Sequence, residues 1–306
     1  MSRVGRSILL VTLAAANAHA QKVLLELRPH ADDTLRMQLD QVTELSGARP
    51  GETPALATTT LRMYSRAIVE STAHIASLIL AVTDSVDVSS TDAHGLALGE
   101  QAKRELTGRQ MRLRLWPDGS VTLNDGAASV PREVRELVSV MPGSFPSRAV
   151  GVGETWIREM PIPSGTALGI PAGSVVRTRF RLDSLSSDGD LAFVAMSGAL
   201  EPMPTMADAA VVDGTVSGHF VVDRRRGWLS ASHFQLQLRS TSRTGVSAGG
   251  SEGAVKGASA GASAGASRDD SMRFLVRMTQ SMKVLRPSAI PPRPSGRLSS
   301  RATRRI

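Results

Sequence analysis

Arginine and apolar side chains alternate along separate stretches of this sequence, and that alternation narrows the fold before any other feature does. Val176, Thr178, Phe180 and Leu182 interleave with Arg177, Arg179 and Arg181. Met111, Leu113 and Leu115 interleave with Gln110, Arg112 and Arg114. Met272, Phe274, Val276 and Met278 interleave with Arg273, Arg277 and Thr279. Successive side chains point to opposite faces in an extended strand, so each stretch reads as a strand with one face packed and one in water. Runs of the same kind cover 35–39, 61–69, 78–88, 216–222 and 234–238.

Turn chemistry separates these runs. Pro117, Asp118 and Gly119 precede a run at 121–123, Asp188 to Asp190 carries Gly189, and Arg226-Gly227 stands before Trp228. Each places a glycine where a hairpin calls for a positive φ. Strands joined by short hairpins form an antiparallel meander, not a parallel sheet with crossover helices. One helix is expected over 130–141, where Val130, Val134, Leu137, Val138 and Met141 share a stripe. Ser129 would cap it, Pro131 and Glu133 suit its first turn, and Pro142 stops it. The expected fold is mainly β: antiparallel curved sheets, a half-barrel or a sandwich, with one or two short helices. Two strand-rich halves, 21–124 and 150–285, would make a single domain over 21–285 with the helix between them.

The ends of the chain read differently from its body. Arg3 and Arg6, an apolar run over 8–15 and Ala18-His19-Ala20 follow the three-part order of a cleavable signal peptide over 1–20. The apolar run is too short to span a bilayer, which takes about 20 residues. Export to the periplasm or beyond is therefore expected, with cleavage after Ala20. The chain has no cysteine, which excludes disulfides, thiolate metal ligands, a cysteine nucleophile and a lipid-modified cysteine. The hydrophobic core alone must then hold the fold, and roughly 285 residues suffice for one.

The formal charge of +8 loses two positive charges with Arg3 and Arg6. Six more belong to the arginines of the tail over 286–306, so the body is neutral. With aromatic residues at 3%, that body lacks the basic, stacking surface of a nucleic-acid reader. The tail, rich in Pro, Ser and Arg, has the composition of a disordered segment, and an envelope component is its conceivable partner. A Gly-Ala-Ser insert over 245–267 reads as a flexible loop between neighbouring strands.

Motifs that could carry chemistry dissolve on inspection. Gly257-Ala258-Ser259-Ala260-Gly261 matches a nucleophile elbow, but it lies in a Gly-Ala-Ser repeat where such a match arises from composition. His30, His74, His94, His219 and His233 show no pairwise spacing that converges on a metal. Asp118-Gly119 and Asp188-Gly189-Asp190 lack the spaced oxygens of a calcium loop. Arg224-Arg225-Arg226 reads as a solvated turn. Catalytic, cofactor and metal residues are thus expected to be none.

Methionine is the more suggestive signal. Met37, Met63, Met111, Met196, Met272, Met278 and Met282 fall in expected strands, mostly on the apolar face. Flexible, polarisable side chains suit a surface that accepts varied apolar partners, although they also fill ordinary cores. Met111, Phe180 and Met278 are the candidate ligand-facing residues, with irregular segments 161–173 and 201–214 as rims.

The phrase Val150-Gly151-Val152-Gly153-Glu154-Thr155-Trp156, approached through Pro142 and Pro146, resembles the V-x-V-G-E-T-W phrase of exported bacterial β-rich domains of unknown function. Arg226-Gly227-Trp228-Leu229 is similar to their late turn. Those domains are distantly similar to the half-barrels of periplasmic lipoprotein carriers, which hold acyl chains against a curved sheet. The resemblance assigns no residue a role. Read from the residues alone, Gly153 makes a turn and Trp156 anchors a strand in the core.

Two functions compete: a non-enzymatic exported protein binding an apolar or lipidic ligand in a curved sheet, and a structural or interaction module of the cell envelope. A hydrolase ranks last. The signal peptide makes a direct prediction. Protein from its native host should begin at Gln21 by intact mass, and a retained Met1 would contradict export.

Overall fold

The structure is a computed structural model that describes residues 22–48, 55–124, 143–161, 175–201, 211–243 and 271–285. The expected signal segment, the helix over 130–141, the insert over 245–267 and the tail lie outside those residues. β1 (Thr34–Ala48), β2 (Ala55–Thr72) and β3 (Ser77–Ser90) lead to α1 (Ala93–Leu106), followed by β4 (Gln110–Leu115) and β5 (Val121–Leu123). β6 (Thr155–Pro161), β7 (Val175–Leu185) and β8 (Leu191–Glu201) come next. β9 (Val211–Asp223), β10 (Trp228–Arg243) and β11 (Ser271–Leu285) complete the described elements.

All eleven strands form one antiparallel sheet in the order β5-β4-β3-β2-β1-β11-β10-β9-β8-β7-β6. The two halves are therefore not separate sheets. β1 and β11 pair without interruption from Arg36 with Leu285 to Ala48 with Arg273, and this seam joins them. The sheet is curved and unclosed, which removes the sandwich alternative; its edge strands β5 and β6 do not pair with each other. Register shifts at Tyr64/Ser65 on β2 and β3 and at Leu182/Ser184 on β7 and β8 mark bulges, which bend and twist a strand locally. The glycines expected in the hairpins, Gly119, Gly189 and Gly227, have φ of 86°, 74° and 61°.

Curvature gives the sheet an inner face, and its apolar side chains cannot bury themselves against a second sheet. At one end they close on two extended segments instead. Val23, Leu25 and Leu27 enter the core with Phe145 and Val150, against Leu35, Val69 and Leu115 of one wing and Phe180, Leu182 and Phe220 of the other. The plug is stitched by backbone: Val23 and Val150 exchange two 2.9 Å bonds, Leu27 donates to the Pro117 carbonyl and Phe145 to that of Asp118. These bonds satisfy polar groups that would otherwise be buried unpaired. Phe145 meets Phe220 edge-on at 5.7 Å, and Phe180 meets Phe220 at 6.1 Å.

α1 is the helix the sequence reading missed. Its apolar stripe is interrupted by Gly95 and Gly99, and those two positions make the contact. A Cβ on Gly99 would collide with Val88, and one on Gly95 would collide with Ser90 and press on Thr59. Asp92 caps the helix by accepting from the Gly95 amide at 2.9 Å, and Lys103 and Arg104 occupy its last turn, where cations favour the dipole.

The turn at Gly227 is pinned from outside the hairpin. A Cβ there would collide with the Arg28 carbonyl, whereas one on Gly153, at φ 86°, meets nothing within 4 Å. Alanine at Gly153 should therefore cost only left-handed strain, about 1–2 kcal/mol. Gly227→Ala should cost clearly more, because it must also push the segment at Arg28 out of place. Urea unfolding checks this, and equal losses would mean that the hairpin does not brace the plug.

Candidate functional site

Register places the inner-face side chains in transverse rows. One runs through Trp156, Phe180, Met196, Gly218, Phe234 and Gln280. The next runs through Arg158, Thr178, Gly198, Val216, Leu236 and Met278 to Thr43. Beyond it Val176, Leu200, Val216, Leu238 and Val276 form a second apolar cluster, with Met160, Met196 and Leu236 packed against it. Leu45, cross-strand from Val276, keeps 42% of its surface exposed. Away from the plug, then, the concave face mixes apolar side chains with Thr43, Thr178 and Gln280 and is unevenly covered, with Leu238 and Val276 buried and Leu45, Leu236 and Met278 partly open.

The three candidate ligand-facing residues all lie on this face, but not together. Met111 is half-buried on β4, opposite Ala81 and near the plugged end. Met278 is half-buried on β11, between Thr43 and Leu236. Phe180 offers no open surface: it is 2% exposed and stacked on Trp156 at 5.7 Å with 13° between the rings, so it belongs to the core wall. Most of both rim segments lies outside the described residues.

Two polar groups in the Met278 row were not singled out from the sequence. Arg158 shares its face with Trp156 and Met160, while Ile157, 42% exposed, faces outward. Its guanidinium donates to the Phe145 carbonyl at 2.6 Å. Thr178, its cross-strand neighbour, is 0% exposed, and its hydroxyl has no hydrogen-bond partner among the described residues. The alternation around Trp156 could have placed Arg158 inside, had the expected strand been carried past the Trp.

The outer face is polar and largely self-neutralised. Arg62 binds Asp40 at 2.6 Å and holds its carboxyl below the usual range. Arg66 binds Asp84, and Arg112 binds Glu70. His219 and His233 are cross-strand neighbours with ring centroids 5.6 Å apart, and His233 Nδ1 lies 2.8 Å from Ser281 Oγ. Asp40 is opposite Ser281 but is already engaged by Arg62 and Gln38, so this row does not assemble a nucleophile, a base and an orienting acid. A hollow of about 350 Å³ on this face is lined by Val42, Glu44, Gln235, Gln237 and Arg277 and borders Leu236 and Met278; its polar walls do not suit an apolar guest. Among the described residues no group of three or more His, Asp or Glu could hold a metal ion, and no helix is long and apolar enough to cross a membrane.

No protein-family model matches the chain, and no curated protein matches it in sequence. In structure it is distantly similar to lipovitellin, in a study of its lipid–protein interactions, with a TM-score of 0.46 at 8% identity. That likeness covers 85% of this chain, which spans only 26% of the lipovitellin chain. DynF from the dynemicin biosynthesis pathway of Micromonospora chersina aligns over 94% of this chain and 96% of its own, at 8% identity and a TM-score of 0.21. A LolA superfamily protein of Nitrosomonas europaea aligns over 85% and 88%, at 9% identity and a TM-score of 0.13. At such scores none of these likenesses transfers a residue's role or an activity to this chain.

Proposed function

We propose that the chain is an exported, non-catalytic protein that binds an apolar or lipidic ligand on its concave face. The observation that supports this reading is the uneven burial of that face. At the plugged end Leu25, Val150 and Leu182 are sealed, whereas Met278, Leu236 and Leu45 in the rows beyond keep surface in contact with solvent. Apolar side chains left partly open by a sheet that does not close are where a flexible apolar molecule gains most from leaving water. Half-buried methionines adapt to such a guest.

The interaction-module alternative would instead use the outer face, where Ile157 and Phe193 are exposed and Ile157 is the cross-strand neighbour of Arg179.

Binding of a neutral naphthylamine dye, with mass spectrometry of co-purified lipid, tests the proposal. The wild-type chain should bind the dye and carry lipid. Met278→Glu should abolish both with a modest loss of stability, because a charge at a half-buried position stays hydrated. No lipid and no dye binding in the wild type would overturn the reading and leave the interaction module standing. A Met278→Glu variant that binds as well as the wild type would take Met278 out of the site.

A further inference from the structure

We propose that the ligand of the concave face is an anionic amphiphile, a long-chain carboxylate, whose head group is held by Arg158 and Thr178. The inference rests on the apolar-ligand reading and adds the chemistry of the head. Arg158 projects among apolar side chains on the inner face, and among the described residues its one hydrogen bond is to a neutral carbonyl, that of Phe145. A half-buried guanidinium calls for a counter-charge, and among the described residues no carboxylate supplies one. Glu154 is bound by Arg148 and Lys22, and its carboxyl is held low by the Arg148 hydrogen bond. Glu159 lies on the opposite face, across from Arg177. Glu201 is 3.6 Å from Arg177, and Asp183 is bonded to Arg181.

Thr178 makes a second, independent point. Its hydroxyl is fully buried and, among the described residues, unpartnered, directly across the strand pair from Arg158. Buried hydroxyls are nearly always hydrogen-bonded, and exceptions demand an explanation. A guanidinium fork and one hydroxyl match the two oxygens of a monoanionic carboxylate.

The rest of the row fits a tail. Gly198 leaves the Thr178 hydroxyl its place, since a Cβ there would lie 3.0 Å from Thr178 Oγ1, and Val216, Leu236 and Met278 follow on β9, β10 and β11. Four interstrand steps from β7 to β11 span about 19 Å, the reach of a long acyl chain. The second apolar cluster flanks this path.

Displacement of the neutral dye by palmitate, hexadecanol and hexadecyl phosphate tests the assignment. Palmitate should bind the wild type about tenfold more tightly than hexadecanol. Arg158→Met should erase that preference by weakening palmitate far more than hexadecanol, an outcome that a purely structural role for Arg158 would not produce. Should Arg158→Met fail to fold without its bond to Phe145, Thr178→Val keeps the arginine and should lower the palmitate preference about threefold. Equal binding of palmitate and hexadecanol, or a preference that survives Arg158→Met, would overturn the proposal while dye binding preserves the apolar-ligand reading. Tighter binding of hexadecyl phosphate than of palmitate would overturn the carboxylate assignment. Failure of dye and both lipids to bind would overturn the apolar-ligand reading and this one with it.

Discussion

An unclosed sheet with an apolar inner face needs something to close on, and here it closes on its own backbone. The segment from Val23 to Leu27 has little regular structure, yet it bonds to Val150 and Pro117 and sends alternate side chains into the core. Without it Phe180, Phe220 and Leu115 would lose their shared contact, and the two wings would be held together only through the middle of the sheet. The same plug positions the candidate site, because Ser144 and Phe145 receive the Trp156 indole and the Arg158 guanidinium. Core and site are therefore built on one short stretch, 143–150. That stretch belongs to neither wing.

The plug covers one end of the inner face, and α1, packed on Val88, covers part of the other. Side chains level with Val23 and Phe145 are sealed; farther along, Val86, Leu238 and Val276 are buried too, while Leu45, Leu236 and Met278 keep surface in contact with solvent.

Strands were legible because alternation is local. Val176 to Leu182 face as their spacing requires, and Met37, Met63, Met196 and Met282 all fall on the inner face. Turn glycines were legible for the same reason. The joining of the halves was not, since the pairing of β1 with β11 links residues more than two hundred positions apart and leaves no mark on either neighbourhood. α1 was missed because Gly95 and Gly99, which weaken a helix by themselves, are favoured by close packing on β3. Arg158 and Thr178 were overlooked for a related cause. In a row of apolar positions an arginine reads as a strand's outward face until register shows which way it points.

The seam between β1 and β11 also governs how the molecule can come into being. β1 to β5 can pair as they emerge, and so can β6 to β10, because each is a run of neighbours in sequence. The centre of the sheet stays open until β11 arrives and fills the slot between β10 and β1. Contacts of such long separation are slow to form, and unpaired strand edges wait exposed meanwhile. A chain that emerges from its N-terminus would thus hold two pliable half-sheets while its synthesis continues. It would become one rigid body only when its final strand zips the centre shut.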